Sequence, residues 1–145
     1  MALRPHLLCL ALPLTLLALS PALAEDSEWV PPVRHAETLK ECGECHMAFQ
    51  PALLPAGSWR AIMGNLSDHF GEDASLPPAT AASIEHYLVA GAGRGDPSLL
   101  RITEQRWWRH EHDFSPSRFA RPEVRSKINC AACHQGAEQG FYEDD

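Results

Sequence analysis

Apolar side chains recur at helical spacing through the middle of the chain. When the segment 59–70 is wound at 100° per residue, its apolar residues share one arc and its polar residues share the other. A half-buried strand alternates between apolar and polar side chains, and no window of four to eight residues shows this alternation convincingly. The pattern therefore predicts a mostly helical fold with little or no sheet.

Capping residues and helix breakers divide the chain into predicted helices. Ser58 and Thr103 are suitable N-cap residues, and the Pro77-Pro78 pair suits the start of a helix. Glycine and proline mark loops at 91–98 and 115–122. The predicted helices are 36–47, 58–70, 78 to about 91–93, 103–112 and 128–137.

The first 24 residues predict a secretory signal peptide. Arg4 supplies a positive charge, an apolar run covers 7–19, and Ala22-Leu23-Ala24 has the form of a signal-peptidase site. The run is shorter than the roughly 20 residues that span a bilayer. We therefore expect cleavage after Ala24, export of the mature chain and no membrane span in it. Residues 25–35 are acidic, contain Pro31-Pro32 and predict a flexible leader.

The charge balance of the chain is acidic. The sequence has 12 Lys and Arg residues against 19 Asp and Glu residues, a formal charge of −7. Nucleic-acid binding needs a basic surface that meets phosphates, so this balance argues against such a partner. Residues 101–127 are basic within the acidic chain, and their arginines could pair with carboxylates, including those of a cofactor.

The candidate chemistry is concentrated in two CxxCH motifs, Cys42 to His46 and Cys130 to His134. CxxCH is the attachment signature of c-type haem. Residues three apart lie on one face of a helix, so both thiols of a motif can form thioethers with one porphyrin, and the histidine can supply the proximal iron ligand. We therefore expect two covalently bound haem c groups, attached through Cys42 with Cys45 and through Cys130 with Cys133, with His46 and His134 as axial ligands.

Other uses of paired cysteines fit this pattern less well. A zinc ribbon places its two CxxC pairs roughly 15–20 residues apart, whereas 84 residues separate Cys45 from Cys130. A thioredoxin-like redox site needs an α/β pattern around one CxxC, and the chain shows no such pattern. Two structural disulfides would not explain why a histidine follows each pair.

The second axial ligand of each haem decides between an electron carrier and an enzyme with an open iron. His69 is the strongest candidate for one haem because it lies at the edge of the apolar arc of 59–70. Met63 lies on the same arc and is its competitor.

His110 and His112 are the candidates for the other haem. On a helix each lies beside a tryptophan, so helical geometry alone leaves the choice open. His86 points away from the apolar face of its helix and is predicted to be exposed. His35 could reach a haem only if the leader folded back.

Longer stretches of the chain resemble the small periplasmic dihaem cytochromes c of proteobacteria. The resemblance covers most of residues 40–142 and includes both CxxCH motifs. The stretches that carry it are Cys42–His46, Leu54–Arg60, Met63–Leu66, His69–Leu76, Arg101–Glu104, Trp107–His112, Asn129–His134 and Ala137–Gly140. The resemblance implies electron transfer through two haems with bis-histidine ligation, and it favours His69 and His112 as the distal ligands. It also implies haem-protein partners, typically an oxygen-binding monohaem cytochrome c and a membrane b-type cytochrome.

These features together predict a small, two-lobed, cytochrome c-like fold whose helices pack on two covalent haems. The first haem lobe is predicted at 36–96 and the second at 97–145. We expect an electron-transfer protein rather than an enzyme. Two alternatives stay open, an electron-transfer subunit of a larger periplasmic oxidoreductase and a haem enzyme with one open iron site.

Overall fold

The computed structural model describes residues 29–143, so the predicted signal peptide 1–24 lies outside the described residues. Within 29–143 the chain forms α-helices and short 3₁₀ turns and no strand, with isolated bridges at Trp29–Phe141 and His69–Glu72. The predicted mostly helical class is confirmed. The helices are α1 (Ala36–Cys42), α2 (Ala56–Met63), α3 (Pro78–Ala90), α4 (Arg106–Glu111) and α5 (Pro116–Phe119). The 3₁₀ turns are Pro51–Leu53, Leu66–Asp68, Ile102–Glu104, Cys130–Ala132 and Ala137–Gln139.

Helix α2 is displaced from its predicted position at both ends. Its N-cap is Pro55, and Ser58 lies inside the helix, where its hydroxyl donates to the carbonyl of Leu99 at 2.8 Å. The helix ends before Gly64 instead of continuing to residue 70. Phe70 has φ = 58°, a left-handed conformation that no α-helix accommodates. His69 therefore lies on a turn after the helix.

For the other helices, the observed ends agree less closely with the prediction than the observed centres do. Helix α3 matches the prediction, whereas α1 ends at Cys42 instead of continuing to residue 47. Helix α4 starts after Gln105 rather than Thr103. The predicted loop 115–122 contains α5, whose first residue is a proline. Two 3₁₀ turns replace the predicted helix 128–137.

A small apolar core holds α2 against α3. Its buried members are Leu54, Trp59, Ile62, Ile84 and Leu88. Buried polar side chains connect this core to the rest of the chain. Gln50 donates to the carbonyl of Ala137 at 2.6 Å and accepts from the hydroxyl of Tyr142 at 2.6 Å. These bonds cross the predicted lobe boundary at 96/97, and the division into lobes stays a prediction.

The described part of the predicted leader is packed on the folded chain. Val30 N–H donates to the carbonyl of Gly140 at 2.9 Å, and Val33 is buried. Gly140 has φ = 85°, and a Cβ there would meet the carbonyl oxygen of Val30 at 1.8 Å. Residues 29–35 are therefore not the flexible leader expected from their composition, because their apolar side chains and backbone have partners near the C-terminal end.

None of the helices between residues 29 and 143 is both long enough and apolar enough to cross a bilayer.

Candidate haem-binding sites

Two cavities lie around the two CxxCH motifs. The N-terminal cavity, of about 670 Å³, is lined by Cys42, Cys45 and His46. The C-terminal cavity, of about 570 Å³, is lined by Cys130, Cys133 and His134. Both volumes lie within the range of about 300–1,000 Å³ that is typical of ligand and cofactor sites. Because the two cysteine pairs line different cavities, they do not form one four-cysteine zinc site.

The N-terminal cavity brings together two predicted site histidines. The ring centroids of His46 and His69 are 6.2 Å apart, and their planes differ by 29°. Phe49 packs on His46 at 4.8 Å, and Phe70 packs on His69 at 4.9 Å between centroids. Met63, the competing candidate, lines the same cavity.

The C-terminal cavity repeats this arrangement with a different ring orientation. The ring centroids of His112 and His134 are 5.9 Å apart, and their planes differ by 74°. The Trp108 ring stacks on the His112 ring: their planes are nearly parallel, with an angle of 4°, and their centroids are 4.3 Å apart. Helix α4 ends at Glu111, so its last turn supplies Trp108 and its C-cap supplies His112.

Backbone carbonyls orient these imidazole rings. Nδ1 of His46 donates to the carbonyl of Met47 at 2.7 Å, and Nδ1 of His112 donates to that of Trp108 at 3.0 Å. A carbonyl oxygen only accepts, so the proton is on Nδ1 and the lone pair is on Nε2. Such hydrogen bonds fix the tautomer and ring orientation of metal-ligating histidines.

The electrostatic setting favours neutral side chains at both sites. Burial lowers the pKa of His69, and the neighbouring His46 and Arg101 lower it further. Burial raises the pKa of Cys42, and it raises that of Cys130 to about 11. No disulfide joins the four cysteines of the described chain, so each pair is available for thioether bonds to a haem.

The remaining histidine candidates lie outside both cavities. His35 packs on Tyr87 with centroids 4.9 Å apart, and its ring nitrogens face Thr38 Oγ1 at 3.0 Å and Ser83 Oγ at 3.3 Å. His86 is exposed, as predicted. His110 is exposed and lines neither cavity, whereas His112 lines the C-terminal one.

One apolar partition separates the two cavities. Ile102 lines both of them. Two pairs of consecutive residues also divide between the cavities. Leu53 and Asn129 line the C-terminal cavity, whereas their neighbours Leu54 and Ile128 line the N-terminal cavity. The sites are therefore neighbours that share a wall of consecutive residues.

Several lining residues were not predicted from the sequence. Trp29 and Val30, from the predicted leader, and Tyr142, near the C-terminal end, line the C-terminal cavity. An arginine also lies over an aromatic ring at each site. The guanidinium carbon of Arg101 is 4.2 Å from the Phe70 centroid, and that of Arg118 is 3.9 Å from the Phe114 centroid. The apolar Trp-Val pair beside the double proline is the only sequence signal that could have indicated the leader's role.

The model of the family described as dihaem cytochrome c matches residues 38–142, which include both CxxCH motifs. The chain belongs to the dihaem cytochrome c family. Two solved structures of this cytochrome from Rhodobacter sphaeroides are 48% and 44% identical to the chain, each with a TM-score of 0.70. The matches cover 76% and 77% of this chain and 98% and 99% of those structures.

A dihaem cytochrome c from Shewanella baltica is 45% identical, with a TM-score of 0.67, and the match covers 74% of this chain and 86% of that one. No curated protein matches the chain. A dihaem cytochrome c carries two covalently bound c-type haems, and its family is generally one of electron-transfer proteins. The described residues fit two such groups, because each cavity combines two free thiols, two facing imidazoles and aromatic walls.

Proposed function

We propose that this dihaem cytochrome c is a periplasmic electron carrier whose two haems each have two histidine ligands. Cys42 and Cys45 would hold the haem of the N-terminal cavity, with His46 and His69 as its axial ligands. Cys130 and Cys133 would hold the haem of the C-terminal cavity, with His134 and His112 as its axial ligands.

The separation of the paired imidazoles carries this proposal. An imidazole nitrogen binds a first-row metal ion at about 2.0–2.1 Å, and the ring centre lies roughly 1 Å further back, so two imidazoles on one iron have centroids about 6 Å apart. The observed separations are 6.2 Å for His46 with His69 and 5.9 Å for His112 with His134. This agreement supports His69 over Met63, and it supports His112 over the exposed His110.

When bound, each haem supplies a one-electron ferric–ferrous couple. The chain's own residues orient that couple and shield it from water. The Met47 and Trp108 carbonyls hold the His46 and His112 rings through Nδ1. Stacking on Trp108 keeps His112 from rotating away from its cavity. With both axial positions held by histidine, a substrate has no iron site to bind, which favours a carrier over an enzyme.

The proposed location follows from the signal peptide and the thiols. An exported chain enters an oxidising compartment, where free cysteine pairs form disulfides unless another reaction captures them. Thioether formation with haem is such a capture, and it uses all four cysteines of the mature chain. Cleavage after Ala24 would remove the remaining cysteine, Cys9.

The proposed partners are other haem redox proteins, including an oxygen-binding monohaem cytochrome c and a membrane b-type cytochrome. Carboxylates border the N-terminal cavity at Glu41, Glu44, Glu72 and Asp73. A partner with a basic face around its own redox centre would complement this border. Charge complementarity speeds such brief encounters without requiring tight binding.

Two measurements on the purified holoprotein test the proposed function. The intact mass should exceed that of the chain 25–145 by two haem masses, and the colour should stay with the protein in acidified acetone. The reduced protein should keep its low-spin visible spectrum under carbon monoxide, because both irons have two histidine ligands. One haem, or a carbon monoxide complex in the unaltered protein, would contradict the proposal, and the second result would favour a haem enzyme.

The rate of electron exchange with a basic partner should fall severalfold between about 0.01 M and 0.15 M ionic strength, because the Debye length shortens from about 30 Å to about 8 Å. Stopped-flow measurements would give this rate. Electron exchange by the double variant Glu72→Lys with Asp73→Lys should be slow at low salt. The control Glu85→Lys lies outside both cavity linings and should exchange electrons as fast as the unaltered protein. If the rate does not change with salt concentration, or rises with it, the acidic border of the N-terminal cavity is not the docking face.

A further inference from the structure

The two cavities carry opposite charge along their described linings. Four carboxylates line the N-terminal cavity together with one guanidinium, that of Arg101. In the C-terminal cavity the balance is reversed, since Arg94 and Arg118 line it together with the carboxylate of Glu111. The four carboxylates of the N-terminal cavity belong to Glu41, Glu44, Glu72 and Asp73.

We propose that the haem of the C-terminal cavity has the higher reduction potential, so that a single electron on the molecule resides there. This inference rests on the proposed bis-histidine ligation at both sites. An oxidised iron carries one more positive charge than a reduced one. Neighbouring carboxylates therefore stabilise the oxidised state and lower the potential, whereas guanidiniums stabilise the reduced state and raise it.

The usual determinant of haem potential does not separate the two sites. Axial-ligand identity shifts the potential strongly, but each iron would have a CxxCH histidine and a second histidine. The cavities are also similar in volume, about 670 Å³ and about 570 Å³. The charges that border each cavity are then the main difference between the two sites.

The shared partition lets the electron move between the sites inside one molecule. Ile102 borders both cavities, and Leu53 and Leu54 are consecutive residues on opposite sides. An electron accepted at the N-terminal haem, beside the acidic border, would therefore pass to the C-terminal haem.

An electron paramagnetic resonance titration of the holoprotein tests the order of the potentials. The imidazole planes differ by 29° at the N-terminal site and by 74° at the C-terminal site. Nearly parallel planes give a rhombic ferric signal, and nearly perpendicular planes give a strongly anisotropic one. We expect the anisotropic signal to disappear first during stepwise reduction, and His112→Ala should remove the same signal from the oxidised protein. Loss of the rhombic signal first, or of both together, would overturn the inference.

Failure of the underlying ligation would be visible before the titration starts. If the oxidised protein lacks two low-spin signals, the bis-histidine proposal is wrong. If both signals are present and their order of reduction is reversed, only the inference about potentials is wrong.

Charge variants test the physical cause. Glu72→Gln with Asp73→Asn should raise the potential of the N-terminal haem and increase its share of the single electron about tenfold, which is 59 mV for a one-electron couple. Glu85→Gln is the matched control, since Glu85 lies on α3 and lines neither cavity. An unchanged gap in the double variant, with both low-spin signals intact, would show that the lining charges do not set the order.

Discussion

Removal of the His112 imidazole should convert one of the two haems to a high-spin form that binds carbon monoxide, while the other haem stays low-spin. His112 supplies the ring 5.9 Å from His134, and Trp108 stacks on it at 4.3 Å. An alanine at this position leaves the iron with a single protein ligand. Titration of the reduced His112→Ala protein with carbon monoxide should therefore saturate at one equivalent per molecule.

The matched control is His110→Ala, two residues earlier on α4. His110 is exposed and lines neither cavity, so its removal should leave both haems low-spin and unreactive. A carbon monoxide complex in His110→Ala, with none in His112→Ala, would reverse the assignment. The pair separates two histidines that helical geometry could not distinguish in the sequence.

His69→Ala should open the other haem in the same way. The expected result is again one equivalent of carbon monoxide, now at the haem held by Cys42 and Cys45, with the C-terminal haem unaffected. The reason is the 6.2 Å separation between the rings of His46 and His69. Visible and electron paramagnetic resonance spectra would show which low-spin signal is lost.

The control for this site is Met63→Leu, which removes the only other candidate ligand in that cavity. Leucine has a volume similar to that of methionine, so packing in the wall should change little. Both haems should stay low-spin in Met63→Leu. If this variant opens a haem and His69→Ala does not, the iron has a methionine ligand, and a markedly higher potential would accompany it.

The CxxCH chemistry was predictable from the sequence because it depends on short-range spacing. Two residues separate the two cysteines of each motif and the histidine follows directly, so the motif is recognisable without knowledge of the fold. His69 lines the N-terminal cavity, as the apolar arc of 59–70 suggested, but it does so from a turn because α2 ends at Met63. Helical geometry left the choice between His110 and His112 open, because it depends on how α4 faces a cavity made by distant residues; only the family resemblance favoured His112.

The ends of the helices were less predictable than their existence. Ser58 is a good N-cap type, but its hydroxyl bonds the Leu99 carbonyl instead, a tertiary contact that no local pattern encodes. Phe70 adopts a left-handed conformation without being glycine, asparagine or aspartate. In both places the chain follows long-range packing around the site rather than local preference.

The packing of residues 29–35 against the folded chain was not predicted for a similar reason. Acidic residues and a double proline indicate flexibility on average. Trp29 and Val30 nevertheless line the C-terminal cavity, 101 and 100 positions before the first cysteine of its motif. The sequence alone does not show which distant residues these two side chains contact, so their place in the fold could not be predicted.

The antiparallel bridge between Trp29 and Phe141 has a practical consequence for immobilising the protein on an electrode. A tether joined directly before Trp29 or after Glu143 would leave the described fold on the same side, next to the C-terminal cavity. The C-terminal haem would then be the first to exchange current with the surface, whichever end carried the tether. To bring the N-terminal haem next to the electrode instead, the anchor would have to lie on α1, for example at the exposed Leu39.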